Sequence, residues 1–425
     1  MKKVVVLGAG VMGLACARDL ASKGYQVSIY EADDRVGGMS AHFDFNGLNI
    51  ERYYHFICKP DKDYFNLLQE LGISHALRWR ETKMGYFYKG KLHPWGNPVV
   101  LLKFSELGLI AKLRYGVQMF LSTKRTNWQS LDKVNAKDWI IKWIGQEAYE
   151  VLWGALFRKK FYEFTDNLSA AWIWTRIKRV GLSRKNLMQE QMGYIEGGSD
   201  TLLKALEVDL KQKGVQLFLS SPAKQVLYDN NKISAVEVNG EVIACDDVIS
   251  TIPLPFVSRL IPNMSKEYLD KYQAVNNIGV VCVIFKLTRP VTENFWLNVN
   301  DPDMDIPGII EFSNLRPLEN HLVYVPFYLP HGHEKNAHSN EAFIAEAKTC
   351  LKKINTAMQD GDFIDSWVSR YRYAQPICPP EFLDNLPPIK TDIDGLYIAD
   401  TSYYYPEDRS ISESVRLGRE IAAMV

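Results

Sequence analysis

Alternation of apolar and polar positions divides this chain into elements before any chemistry is considered. The apolar run Lys2 to Leu7 reads as a short strand, the pattern to about Ser22 as a helix, and Gln26 to Tyr30 as a second strand. Asp61 to Leu71 looks helical, and Met84 to Leu92 reads as a hairpin turning at Lys89-Gly90. From about 100 to 190 the pattern is helical and rich in Trp, Leu and Lys. Around Gly193 it changes. A helix is expected from Thr201 to Lys213 and a strand from Val215 to Leu219, then paired runs, Lys224 to Tyr228 and Lys232 to Val238, about a turn at Asn230-Asn231. A further strand starts at Asp247 and exits at Pro253. Residues 256–385 are strand-rich, with near-continuous apolar runs at Ile278 to Leu287, Gly308 to Phe312 and Leu322 to Tyr328, as central strands covered on both faces require. Phe343 to Met358 reads as a helix against them, and Gly395 to Thr401 precedes a last helix, Ser412 to Ala423.

The turn between the first strand and helix carries Gly8, Gly10 and Gly13 in G-A-G-V-M-G, with Val11 and Met12 inside it. Glu31 closes the second strand, 18 residues past Gly13. Together these make a dinucleotide-binding unit: glycines for the tight turn, for close backbone approach to a pyrophosphate and for helix-on-strand packing, and an acid for a ribose. On these residues alone, NAD on a plain Rossmann domain is one reading.

Glu31 to Ser40, E-A-D-D-R-V-G-G-M-S, resembles the second flavin fingerprint of the flavin amine oxidase, protoporphyrinogen oxidase and phytoene desaturase superfamily; plain NAD-binding domains lack this R-x-G-G run. Gly37 and Gly38 would let the backbone pass close to a planar ligand, and Arg35 would pair with a phosphate. The segment after Gly193 is similar to the middle flavin segment of that superfamily, and Gly395 to Thr401 to its closing motif, with Asp400 where glycine is usual. Tyr403 to Arg409 most resembles the bacterial protoporphyrinogen-oxidase-like branch. The resemblance implies FAD as cofactor and an α/β fold. A discontinuous Rossmann-like FAD-binding domain of the two-dinucleotide-binding-motif type would cover 1–83, 191–255 and 386–425. A mixed-sheet plus helical substrate domain would cover 84–190 and 256–385, with 100–190 as its helical part. The cofactor-binding residues so implied are Gly8, Gly10, Val11, Met12, Gly13, Glu31, Ala32, Arg35, Gly37, Gly38, Met39 and Ser40 at the start of the chain. Ala223 through its backbone, Thr251, Asp400, Ser412 and Val415 complete the set.

Composition adds limits. The 425 residues are 47% hydrophobic, enough for a large core in two domains or one composite. Lys plus Arg and Asp plus Glu number 50 each, which argues against a nucleic-acid partner. Cysteines at 16, 58, 245, 282, 350 and 378 show neither C-x-x-C spacing nor a compact framework, and read as reduced thiols of a cytoplasmic protein. With a strand beginning at residue 2, no signal peptide is expected. Val99 to Leu121 is broken by Lys103, Glu106, Lys112 and Arg114, so it predicts an amphipathic helix pair and not a membrane span. Such a pair either packs onto the domain body or meets the inner face of a membrane or an apolar substrate. Residues 101–190 hold 16 Lys and Arg against 8 Asp and Glu. That surplus is either a solvated helix face or a field for an anionic small-molecule substrate or membrane. His331-Gly332-His333 has no further ligands near it in sequence, so no metal site is expected.

A flavoenzyme needs few catalytic side chains, because the cofactor carries the redox work. Many amine oxidases of the superfamily place a lysine on a substrate-domain strand; Gly279 to Phe285 has none, and Lys286 falls beyond the inward positions. His55, in E-R-Y-Y-H-F, is the candidate catalytic residue, set against a half-buried structural histidine. Tyr53, Tyr54, Tyr371, Tyr373, Tyr404 and Tyr405 are either stacking partners or core aromatics. Two functions follow from the resemblance. One is an FAD-dependent dehydrogenase, oxidase or desaturase that takes a hydride from a small or lipid-like substrate. The other is a redox-neutral flavin-dependent mutase or isomerase of a sugar nucleotide or polyene.

Overall fold

In the computed structural model, which describes residues 1–425, the chain passes repeatedly between two sheets. It begins with β1 (Lys3–Leu7), α1 (Val11–Ser22) and β2 (Gln26–Tyr30), then leaves through a hairpin of β3 (Met84–Tyr88) and β4 (Lys91–Trp95). A helical block follows, framed by α2 (Pro98–Lys103), α3 (Leu109–Lys124), α4 (Ala155–Phe161) and α5 (Ala170–Leu182). The chain returns through α6 (Ser199–Gln212), β5 (Gln216–Phe218) and β6 (Asp247–Ser250). It departs again as β7 (Asn277–Leu287), β8 (Trp296–Asn300), β9 (Gly308–Glu311), β10 (His321–Pro330), α7 (Asn340–Ile354) and β11 (Phe363–Pro376). It ends with β12 (Leu396–Ile398) and α8 (Ile411–Met424).

The first sheet is wholly parallel, in the order β5-β2-β1-β6-β12, so its strands come from three separated stretches of chain. α1 and α8 lie together on one face, where a methyl group at Gly418 would stand 2.4 Å from the Met12 carbonyl. The second sheet is mixed, in the order β11-β7-β10-β9-β8-β3-β4, with β8 and β3 as its one parallel pair. β7 is apolar along its length because both faces are covered. Val281, Val283 and Phe285 join the cluster containing Phe343, Ala347 and Leu351 of α7, while Val280, Cys282 and Ile284 join the large core shared with the helical block. Within this sheet, β8 and the 14-residue β11 are the strands that the sequence pattern does not disclose.

α3 is inverted relative to an ordinary surface helix. Its buried residues are Gln118 and Ser122, while Leu109, Ile110, Leu113, Val117 and Phe120 face outward, Ile110 with 75% of its surface exposed. Val99 and Leu102 of α2 extend the same outward apolar face. No helix is long and apolar enough to cross a membrane.

Candidate functional site

The two glycine motifs meet. Gly10 and Gly37 form an isolated parallel bridge, and the Gly37 N–H donates to the Ala9 carbonyl at 2.8 Å. Gly13 must be glycine for packing, since a methyl there would stand 2.0 Å from the Gly8 carbonyl. Gly10 differs: nothing lies within 4 Å of its added methyl, although the residue lines a cavity of about 660 Å³. The backbone therefore leaves room in front of Gly10 that no protein atom fills. α1 starts here without a side-chain cap, so Val11 and Met12, both on the cavity wall, bring free N–H groups and the positive end of a helix to that space.

Around this turn, Gly8, Glu31, Gly37, Gly38, Met39, Ser40 and Thr251 also line the cavity. The Glu31 carboxylate accepts from the Ala9 N–H at 2.7 Å and the Asp33 N–H at 2.8 Å, which fixes its orientation at the end of β2. A second helix N-terminus converges on the same space: Ser410 caps α8, accepting from the Glu413 N–H at 3.1 Å, and Ser410 and Ile411 are on the wall. Asp400 lines the cavity too, but its carboxylate is engaged by the Leu254 N–H at 2.9 Å and the Ser402 N–H at 2.8 Å. Asp400 thus holds the closing loop against the exit of β6. Burial raises its pKa.

The same cavity continues into an aromatic chamber against β7 and β10, lined by Tyr53, Tyr54, Phe56, Trp296, Tyr328 and Tyr371, with Val280 and Cys282 between them. Tyr54 packs edge-on against Trp296 and Tyr324, and its hydroxyl lies 3.4 Å from that of Tyr328. His55 sits where cradle and chamber join. Its Nδ1 lies 2.9 Å from the Tyr53 carbonyl, which can only accept, so Nδ1 carries the proton and Nε2, 3.4 Å from Ser40 Oγ, is left as an acceptor. Burial depresses the imidazole pKa, with Glu51 and the Tyr53 carbonyl opposing and Arg409 and Arg179 adding, so His55 is neutral near pH 7.

Several residues expected at the cofactor do not line this cavity. Arg35 is off the cavity wall because its neighbour Asp34 takes the guanidinium in a two-point pair, at 2.6 and 3.0 Å, and the His42 carbonyl takes a further donor. Ala32, Ala223, Ser412 and Val415 are also off the wall. Val415 is core, Ser412 Oγ accepts from the Tyr64 N–H at 3.4 Å, and Ala223 begins a separate three-stranded sheet. Gly13 supports the turn from behind. Tyr373 and Tyr404 line the cavity, whereas Tyr405 is buried against Ser169 and Asp132. Lys286 points away, donating to the Asn46 carbonyl at 3.1 Å. Wall residues that sequence reasoning did not single out include Arg52, which pairs with Asp33, and Trp296, Tyr328 and Arg316. Only Arg52 carried a signal, through its place beside His55. All six cysteines are buried and unpaired, and no cluster of metal-ligating side chains is present.

The donors and shape of this cradle fit an adenine dinucleotide with a second, wider ring system. Room in front of Gly10, uncapped amides at α1 and an oriented acid at β2 suit the nucleotide; the α8 N-terminus and the chamber suit the ring.

Comparisons agree with this geometry. A family model described as flavin containing amine oxidoreductase matches residues 12–420. The chain is 22% identical over 318 residues to a 15-cis-phytoene desaturase of Synechococcus elongatus, covering 68% of this chain and 66% of that protein. It is 23% identical over 326 residues to a zeta-carotene desaturase of Zea mays, covering 68% and 57%. It therefore spans less than two thirds of the length of these relatives. Among solved structures, one from Exiguobacterium sp. 255-15, provisionally named protoporphyrinogen oxidase, superposes with a TM-score of 0.79 at 16% identity, over 100% of this chain and 98% of that one. A reduced UDP-galactopyranose mutase superposes with a TM-score of 0.73 at 18% identity, over 100% and 96%. At such identities these likenesses speak for the fold alone.

Proposed function

This chain belongs to the flavin-containing amine oxidoreductase family, and from that premise we propose that it oxidises a small or lipid-like substrate by removing hydride from a C–H or N–H bond. It is an FAD-dependent oxidoreductase. FAD, when bound, supplies the hydride acceptor, its N5. The observation that carries the proposal is the continuity of one cavity from the Gly8–Gly13 turn to the aromatic chamber, which would let a substrate reach the ring of a bound FAD. Glu31 and the α1 amides would hold the nucleotide end. Tyr54, Trp296 and Tyr328 supply flat apolar walls that orient the substrate and exclude water. His55 Nε2 is the one neutral imidazole acceptor on the wall, placed to take the proton released as hydride leaves.

Val280 and Cys282 are the β7 residues on the wall, and Lys286 lies outside it, which supports C–H oxidation over an amine oxidation that uses a strand lysine. The outward apolar face of α2 and α3 supports a lipid-like substrate. Residues 98–125, which carry that face, hold Lys103, Lys112, Arg114, Lys124 and Arg125 against the single acid Glu106, a charge balance suited to anionic lipid. The test of function is an anaerobic titration of purified protein. Loss of the visible flavin bands on adding substrate alone supports the oxidoreductase reading; turnover only after dithionite reduction, with no net electron transfer, would replace it with a mutase.

A further inference from the structure

Lys160 and Arg409 line the cavity and enter no ion pair; Arg316 and Arg370, on the same wall, also enter none but donate to backbone carbonyls and, for Arg370, the Asn340 side chain. Lys160 of α4 lays its ammonium over the Tyr328 ring at 4.9 Å and enters no ion pair or hydrogen bond. Arg409 stands one residue before the Ser410 cap of α8; it donates to the Ala374 carbonyl and meets no carboxylate within pairing distance. Their cationic neighbours are compensated: Arg176 takes Asp408 at 2.9 Å, and Arg179 takes Asp61 at 2.8 Å. Asp408 faces Arg176, Lys160 and Arg409 together. Burial pushes its carboxyl up, yet these cations hold it well below the usual carboxylate range. One carboxylate, already paired with Arg176, thus faces three basic side chains.

The groups that face Lys160 are Phe161 on its own helix, Tyr328 on β10, Arg176 on α5 and Asp408 and Arg409 before α8. Burial, then Arg176 and Arg409, bring the Lys160 pKa down to about 7. A wall of low polarity holds such charge well only when a counter-charge is supplied. The phosphates of a bound nucleotide would not supply it to Lys160, because their place would be at the α1 N-terminus on the parallel sheet, whereas Lys160 and Tyr328 belong to the helical block and the mixed sheet.

We propose that Lys160 and Arg409 form an anion subsite for the substrate, taking a phosphate-type dianion such as a diphosphate, with the rest of the substrate along Tyr54, Trp296 and Tyr328. The proposal rests on the flavin reading, which assigns the chamber beyond the cradle to substrate. Two charge-assisted contacts in a half-buried wall correspond to about a ten- to hundredfold change in affinity for each one removed.

The experiment titrates FAD-loaded protein with inorganic pyrophosphate, following the flavin difference spectrum and tryptophan fluorescence, alongside the ratio of flavin to protein absorbance. Pyrophosphate should saturate the wild type. Its dissociation constant should rise at least tenfold in Lys160→Met and in Arg409→Met, and stay within about threefold in Lys160→Arg. Flavin content should be the same in all four proteins. Geranyl diphosphate and UDP then separate the two sources of such a group: tighter binding of the first assigns a lipid-like tail to the chamber, and of the second a nucleotide. The subsite is overturned if pyrophosphate produces no saturable change, if it binds wild type and Met variants equally, or if either Met variant loses flavin while the wild type keeps it. A wild type that takes up no FAD defeats the flavin reading instead.

Discussion

At the scale of single residues, Gly10 gives the cleanest test of the cradle. Its backbone, at φ −65° and ψ 166°, is open to any residue, and its missing side chain faces empty space. Gly10→Val should fold with an unchanged circular dichroism spectrum and emerge colourless; a variant with full 450 nm absorbance would show that FAD does not pass this point. His55→Ala should keep its colour and slow the flavin's reduction by substrate by about a hundredfold, measured by stopped flow. His55 also has a pH signature. An unfolded imidazole takes up a proton near pH 6.5, and the buried one resists it, so the stability this residue contributes is present above that pH and is lost below it. The difference in melting temperature between wild type and His55→Gln should therefore shrink as pH falls from 7.5 to 5.5. A difference that stays constant over that range would mean the imidazole titrates alike in both states. Arg35 shows how a neighbour shares a motif residue: Asp34, one position away, pairs with its guanidinium at the surface.

At the scale of elements, α3 carries two opposed signals. Gln118 is 1% exposed, and neither end of its amide has a hydrogen-bond partner, so Gln118→Met should stabilise the protein by about 1 kcal/mol in a urea melt. On the opposite side, Ile110→Glu combined with Phe120→Glu should leave the melting temperature within a degree or so, because both side chains are solvent-facing. The same pair should abolish flotation with vesicles containing phosphatidylglycerol. Flotation undiminished by the pair would place the lipid contact elsewhere. The charges that break Val99 to Leu121 were readable as amphipathicity, but which face turned inward was not, because that depends on α5 packing beside α3 and on Trp174 donating to the Ser122 carbonyl at 2.9 Å.

At the scale of the whole molecule, the fold was legible where a local rule determines it. The β1-α1-β2 unit needs only its glycines and one acid, and β7 and β10 show themselves as long apolar runs because both their faces are covered. β11 escaped notice because its apolar positions are interrupted by Arg370 and Arg372. The chamber was legible only in parts: Lys160 belongs to a charge run, Tyr328 to a strand and Arg409 to a loop, and no spacing along the chain foretells that they share one wall. Thiol chemistry also reads at this scale. With all six cysteines buried, a thiol reagent should label the native protein negligibly and the denatured protein fully.

The placement of α8 against α1 sets a schedule for biosynthesis. The glycine turn leaves the ribosome long before the strand and helix that close it, Leu396–Ile398 and Ile411–Met424. Until they emerge, α1 lacks the neighbour on which it packs, and the parallel sheet lacks an edge strand. Cofactor capture is thus deferred until β12 and α8 have emerged: polypeptides stalled at residue 395 should remain colourless in excess FAD, while released chains that include α8 turn yellow.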